Sequence, residues 1–314
     1  MKLRRKFIPA AYAGILVALA LPGCQTNGSS SGKDTVFDSA LYAAVGTSTQ
    51  QAPFSYDDYV ATLKKYVDDK GLVNYQGLKQ DHQKLDSFLL AMARLDSKTY
   101  QSWDAKARIA FWSNAYNALT LKLIIDNYPI RVTAKIEPEV PANSILQIPD
   151  RWEKVQWLVM GRKLTLDQIE NGILRGQDKN LVAEYGLFYE PRVHMDMTCA
   201  GMSCPPLRTE PYLGSKLDEQ LDDQARAFMA NPTNFRIDRR ARKVYVSRIF
   251  GTWFPGDFVK AYAPKEGFAG HSEGEKAFLN FCAKYVSAED AQYLKGGNYT
   301  VETSPYDWFL NEQK

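Results

Sequence analysis

Histidine and cysteine are scarce in this chain: three histidines (His82, His194, His271) and four cysteines (Cys24, Cys199, Cys204, Cys282) among 314 residues. Any chemistry that needs both residue types is therefore confined to one stretch, HMDMTCAGMSCPPL, residues 194 to 207. Long apolar runs are also missing. The one near the N-terminus, after Pro9, is too short to be a comfortable membrane span, and nothing later approaches the required length. A surplus of positive charge is missing too. The full chain carries 39 Lys and Arg against 36 Asp and Glu, but four of the basic residues fall within the first 23, leaving 35 against 36. No basic stripe remains to follow a phosphate backbone, which excludes nucleic acid as a partner. There is no internal repeat.

What is present begins with MKLRRKFIPAAYAGILVALALPGC. Lys2, Arg4, Arg5 and Lys6 form a basic head before an apolar core, as in an export signal. Leu21-Pro22-Gly23-Cys24 resembles a bacterial lipobox, which implies a signal peptide over 1–23 and lipid on the Cys24 sulfur. Arg4-Arg5-Lys6 also resembles the core of a twin-arginine signal, so the export route stays open. Gln25 after the anchor resembles the outer-membrane sorting pattern. Residues 24–52, rich in Ser, Gly and Thr, read as a flexible tether, and 53–314 as the globular domain. The expectation is a periplasm-facing protein held to the membrane, the outer one, through Cys24.

Within 53–314 the first half has helical periodicity. Ser55-Tyr56-Asp57-Asp58 resembles a capping box ahead of Tyr59, Leu63, Tyr66 and Val67, and Leu85, Phe88, Leu89 and Met92 suggest a second helix. WDAKARIAFWSNAYNALTLKLIIDNYP is apolar around nearly its whole circumference, which predicts a buried central helix ended by Pro129. Later, VQWLVMGRKLTL reads as a hairpin turning at Gly161, ahead of the helix LDQIENGILR, and NFRIDRRARKVYVSRIF reads as a second hairpin. PRVHMDMTC reads as a strand, and SKLDEQLDDQARAFMAN and GEKAFLNFCAKYV as helices. The class is α+β: a helix-rich single domain with a small antiparallel sheet.

Five motifs, FWSNAYNALTL, LTLDQIENGILR, PRVHMDMTCAGMSCPPL, VSRIFGTWFPGDF and the terminal YDWFLN, together resemble the family known as domain of unknown function 547. The resemblance covers most of the chain from about residue 60. It implies a fold and a set of marked positions without a substrate. Two positions depart from the family pattern: Asn171 where a histidine is frequent, and Asp196 where an apolar residue is usual.

Asn114 and Asn117 lie one turn apart on the buried helix, where amides must find partners, either loop backbone or a ligand. Glu170 and Arg175 are expected in ion pairs, with Arg192 a partner for Glu170, or at a pocket. Asp257 either caps a helix start or reaches the pocket. If 192–199 is a strand, His194, Asp196 and Thr198 share one face and Cys199 points to the other. Cys204, ahead of Pro205 and beyond a loop that can fold back toward His194, is then the better nucleophile. Pro205 and Pro206 have no N–H to offer an oxyanion, which counts against a hydrolase. A Cys199–Cys204 disulfide, a zinc site completed by Cys282 or a carboxylate, and a purely structural turn remain as alternatives.

The leading expectation is a thiol-dependent hydrolase or acyl/amide transferase acting on an envelope component. Cys204 is its nucleophile, His194 its general base, and Asp196 or Asn117 the orienting group, with Asn114, Glu170, Arg192 and Asp257 around the ligand. Neither a cofactor nor a metal is expected. The rival is a non-catalytic binding or scaffold lipoprotein whose motifs build the fold.

Overall fold

The structure, a computed structural model, describes residues 53–131 and 140–314. The signal peptide, the tether and Cys24 lie outside the described residues, which all fall within one compact unit. Among the described residues no helix is long and apolar enough to cross a membrane.

Helix α1 (Asp57–Tyr66) packs on α2 (Gln83–Arg94), with Tyr59 stacked on Phe88 at 4.7 Å. The expected capping box at Ser55 is absent: the Ser55 hydroxyl accepts from the Asp57 N–H, one residue too early, and no side chain caps α1. Helix α2 in turn leans on α3 (Ala105–Asn127), whose residues Ile109 to Ile125 are all buried. The Asp104 carboxylate accepts from the Ala107 N–H to start α3, and Pro129 forbids its continuation by disfavouring helical backbone at Tyr128. A helix apolar on every side has no solvent face to keep, so it becomes the axis of the larger core.

The hairpin of β1 (Gln156–Val159) and β2 (Arg162–Thr165) turns through Met160 and Gly161, both at positive φ. Their N–H groups donate to the Met92 and Ala93 carbonyls at 2.9 Å each, satisfying the open end of α2. LDQIENGILR is helical as expected but widens into a π-helical segment, Gln168–Leu174, where the Arg175 N–H reaches back five residues to the Glu170 carbonyl.

A second core lies around α4 (Leu217–Ala230), α5 (Glu273–Cys282) and a three-stranded sheet, with Phe250, Phe258, Phe278 and Phe281 at its centre. In that sheet β3 (Phe235–Asp238) pairs antiparallel with β4 (Lys243–Val246). The third strand, β5 (Thr300–Thr303), joins β4 in parallel, so the sheet is mixed. After β4 the chain enters another π-helical turn, Ile249–Trp253.

Pro191–Met195, expected as part of a strand, forms a 3₁₀ helix. The Glu190 side chain accepts from the Arg192 N–H at its start, and Val193 and Asp196 donate to carbonyls three residues back. Val193 and Met197 enter the first core while Met195 enters the second. A segment wedged between two cores has no neighbouring strand to satisfy its backbone, and Pro191 supplies no ladder donor.

Candidate functional site: a histidine–carboxylate pair in an aromatic cavity

The two π-helical segments, the 3₁₀ helix and the C-terminal segment converge on a cavity of about 330 Å³, within the range that holds small molecules. Trp152, Trp253, Phe254, Tyr306 and Trp308 form its apolar walls. Glu153, Asp167, Glu170, Asn171 and His194 supply its polar groups, and among the described residues no Lys or Arg lines it. Extra turn width in a helix displaces side chains from the regular stripe, and both π segments use it to aim residues here: Glu170 and Asn171 from one, Ile249 and Trp253 from the other.

His194 is 4% exposed, and its Nε2 lies 2.9 Å from Asp257 Oδ2. A carboxylate only accepts, so the neutral ring carries its proton on Nε2 and keeps the lone pair on Nδ1. Among the described residues no group hydrogen-bonds Nδ1. The ring stacks on Phe254 with centroids 4.3 Å apart. Burial holds the His194 pKa below its ordinary value; Asp257 pulls the other way without winning, and Arg175 adds to the depression.

Asp257 is gripped from two sides. Arg175 Nε donates to Oδ2 at 2.6 Å and Nη2 to Oδ1 at 3.1 Å, while the guanidinium lies 4.4 Å from the centre of the Phe254 ring. Burial alone would raise the Asp257 pKa, but the hydrogen bonds from His194 and Arg175 overcome it and hold the group well below the usual carboxylate range. Asn171 bridges behind, accepting from Arg175 and donating to Asp167 Oδ1. The Asn171 amide thus positions the arginine.

Glu170 has the opposite environment. Desolvation pushes its pKa up, and a hydrogen bond with Tyr116, backed by the Arg175 charge, offsets this only in part. The cavity thus brings together a neutral imidazole with a free lone pair and a carboxyl biased toward its protonated form. Environments that drive two groups apart in this way suit a proton acceptor and a proton donor.

Several expected roles do not survive. Cys199 and Cys204 are joined in a disulfide, so neither is a resting thiolate or a zinc ligand. The faces are also reversed: Cys199 lines the His194 cavity, whereas Cys204 is buried behind it and borders a separate pocket. Asp196 does not orient His194. In a 3₁₀ turn residues three apart share a side, so His194 lies with Met197 on the cavity while Asp196 turns to Ser113 Oγ at 2.8 Å. Burial there drives the Asp196 pKa far upward.

Asn117 is committed to backbone: Nδ2 donates to the Asp196 carbonyl and Oδ1 accepts from the Thr198 N–H, each at 2.8 Å. Asn114 does the same for Tyr212, at 2.8 and 2.9 Å. Both amides are thereby held against backbone, and neither lines the cavity. Arg192 pairs with Glu190, Asp218 and Asp222 at 2.6 to 3.0 Å, tying the 3₁₀ helix to α4, and does not pair with Glu170. Glu170 lines the cavity, whereas Asp257 does not and meets it only through its bond to His194.

Sequence reasoning did not find Arg175 as the Asp257 partner, nor the C-terminal aromatics as cavity walls. The only available signal was the clustering of aromatics in VSRIFGTWFPGDF and YDWFLN. The latter segment returns across the whole domain, where Asn311 accepts from the Tyr75 hydroxyl at 2.6 Å.

Residues 100–229 match the family described as protein of unknown function, DUF547. The match takes in α3, the first π-helical segment and the disulfide loop. No curated protein and no solved structure matches the chain.

Proposed function

We propose that the chain is a lipid-anchored envelope hydrolase or acyl/amide transferase running on general acid–base chemistry, with His194 as proton acceptor and Glu170 as proton donor. The carrying observation is the Nε2–Oδ2 contact of 2.9 Å between His194 and Asp257. It commits one ring nitrogen to the carboxylate and leaves Nδ1 for a water or hydroxyl of the acceptor. This replaces the thiol nucleophile, since both sulfurs are spent on each other. The cavity's carboxyl groups and aromatic walls, with no cation among the described lining residues, favour a neutral or cationic ligand with a flat or ring-shaped apolar face.

The test is turnover of chromogenic esters, amides and glycosides by the full chain across pH. A bell-shaped kcat/KM is expected, with Glu170→Gln removing the alkaline limb and His194→Ala costing about a hundredfold or more. Activity that His194→Ala leaves intact would overturn the assignment.

A second reading, a non-catalytic binding lipoprotein, is favoured by one observation: the disulfide leaves no free thiol among the described residues lining the cavity. It predicts ligand quenching of the cavity tryptophans with no turnover of any class. Anchoring at Cys24 rests on the Leu-Pro-Gly-Cys ending of the export signal. Cells given a palmitate analogue should label the wild type and not Cys24→Ser; equal labelling of both refutes the anchor.

A further inference from the structure

The cavity wall holds an electrophile as well as a base, the Cys199 sulfur of the disulfide. We propose that the Cys199–Cys204 disulfide exchanges with a neutral or cationic thiol entering this cavity, Cys199 being the sulfur attacked and Cys204 the thiolate that leaves. The proposal shares with the acid–base reading only the premise that ligands enter here. It goes beyond that reading to a second reaction.

The two sulfurs have different surroundings. Cys199 is partly exposed on the cavity, whereas Cys204 is 4% exposed and already receives two hydrogen-bond donors. The Gly201 N–H lies 3.2 Å from Cys204 Sγ and the Tyr306 hydroxyl 3.1 Å away, compared with 3.6 Å from that hydroxyl to Cys199 Sγ. Gly201 permits the approach because a Cβ there would sit 3.2 Å from the Asp307 carbonyl oxygen. Both donors strengthen as negative charge develops on the sulfur, and a stabilised thiolate leaves faster. Burial also keeps the Tyr306 hydroxyl protonated, and so a donor, by raising its pKa.

The loop does not need the disulfide to keep its shape. Met202 and Ser203 donate to the Phe309 and Asp307 carbonyls, Asn311 donates to the Ala200 carbonyl, and Asn117 holds the Thr198 N–H. These bonds fix both ends of the 199–204 loop, so the sulfurs stay close after cleavage and the step can reverse. A loop this short also draws less denatured-state stabilisation from a cross-link than a long one would.

The balance is simple. The incoming thiol gives its proton to His194 Nδ1 and its sulfur bonds to Cys199 Sγ. The Cys199–Cys204 bond breaks with its electron pair left on Cys204, which takes up the proton. A second thiol then displaces Cys199, so that two thiols are oxidised to a disulfide and the protein disulfide gains two electrons. Glu153 and Asp167, unaccompanied by any lining cation among the described residues, select against an anionic thiol.

The test treats the oxidised, native full chain with cysteamine or with 2-mercaptoethanesulfonate, followed by acid quench and peptide mapping. The cysteamine adduct is expected on Cys199 alone. Its rate, corrected for thiolate fraction, should exceed that of the sulfonate by about tenfold or more. Tyr306→Phe should slow cleavage by about tenfold, the loss of one hydrogen bond to a charged group, without changing thermal unfolding. If that variant does not fold, adduct position and charge preference in the wild type decide. An adduct on Cys204, equal rates for the two thiols, or cleavage only in denaturant would overturn the proposal. These readouts need no hydrolytic turnover, so either reaction can fail without the other.

Discussion

Asp257 Oδ2 lies 2.9 Å from His194 Nε2 and 2.6 Å from Arg175 Nε, so one carboxylate oxygen holds both the imidazole and the guanidinium. The three side chains come from a short 3₁₀ turn, Pro255–Phe258, just after the second π turn, from the 3₁₀ helix Pro191–Met195 and from the end of the first π segment, 63 and 82 residues apart in the two pairings. The geometry makes Asp257 a positioning residue: it acts by fixing the ring and its tautomer.

Removing that carboxylate therefore has a defined sign. Asp257 supports the charged form of His194 against burial, so Asp257→Asn should move the ring's titration midpoint further below its already depressed position. NMR titration of the ring protons checks this. An upward move would contradict the assignment. In turnover, a loss of about a hundredfold is expected from the disoriented base.

His194 also sets a stability trend. Its folded pKa lies below its unfolded one, so the unfolded chain binds the extra proton first as pH falls. His194 should thus cost stability progressively from about pH 6.5 down to its depressed folded value. His194→Gln should flatten that part of the curve of unfolding free energy against pH. An unchanged slope between wild type and variant would count against a buried neutral ring.

Asp196 titrates in the opposite sense. Its folded pKa is raised far above the unfolded one by burial, so its contribution is intact below about pH 3.9 and is lost as pH rises toward the folded value. Asp196→Asn keeps an acceptor for Ser113 and removes this loss. The variant should be more stable than wild type at neutral pH, with the gain shrinking toward about pH 4. Urea unfolding at both pH values measures it.

Asn117→Ala should be strongly destabilising. It leaves the Asp196 carbonyl and the Thr198 N–H unpaired within the core, at roughly 1–3 kcal/mol each. A loss of about 3 kcal/mol in denaturant unfolding is expected. A loss below about 1 kcal/mol would mean that other groups hold the 196–198 backbone.

Peptide mapping under non-reducing conditions should find Cys199 linked to Cys204 and Cys282 as a free thiol. Cys282 is buried in the second core, where desolvation raises its pKa, so it should alkylate only after unfolding. Rapid native alkylation of Cys204 would return the thiol nucleophile to consideration.

The sequence by itself determined the α+β class, the buried helix, the first hairpin and the pairing of β3 with β4. These follow from local regularities: apolar periodicity, a turn that admits positive φ at Gly161, and a proline that stops α3. It also determined that the two amides of that helix must find partners, because buried polar groups cannot remain unpaired. Tertiary structure alone decided the rest. Residues 191–199 have strand-like composition, yet lying between two cores they have no neighbouring strand, and the resulting period of three parts His194 from Asp196. Which carboxylate orients the histidine, which cysteine faces the cavity, and how a C-terminal segment comes to wall it depend on contacts between residues tens to hundreds of positions apart. No local pattern encodes such contacts, because the packing that creates them acts on distance in space and not along the chain.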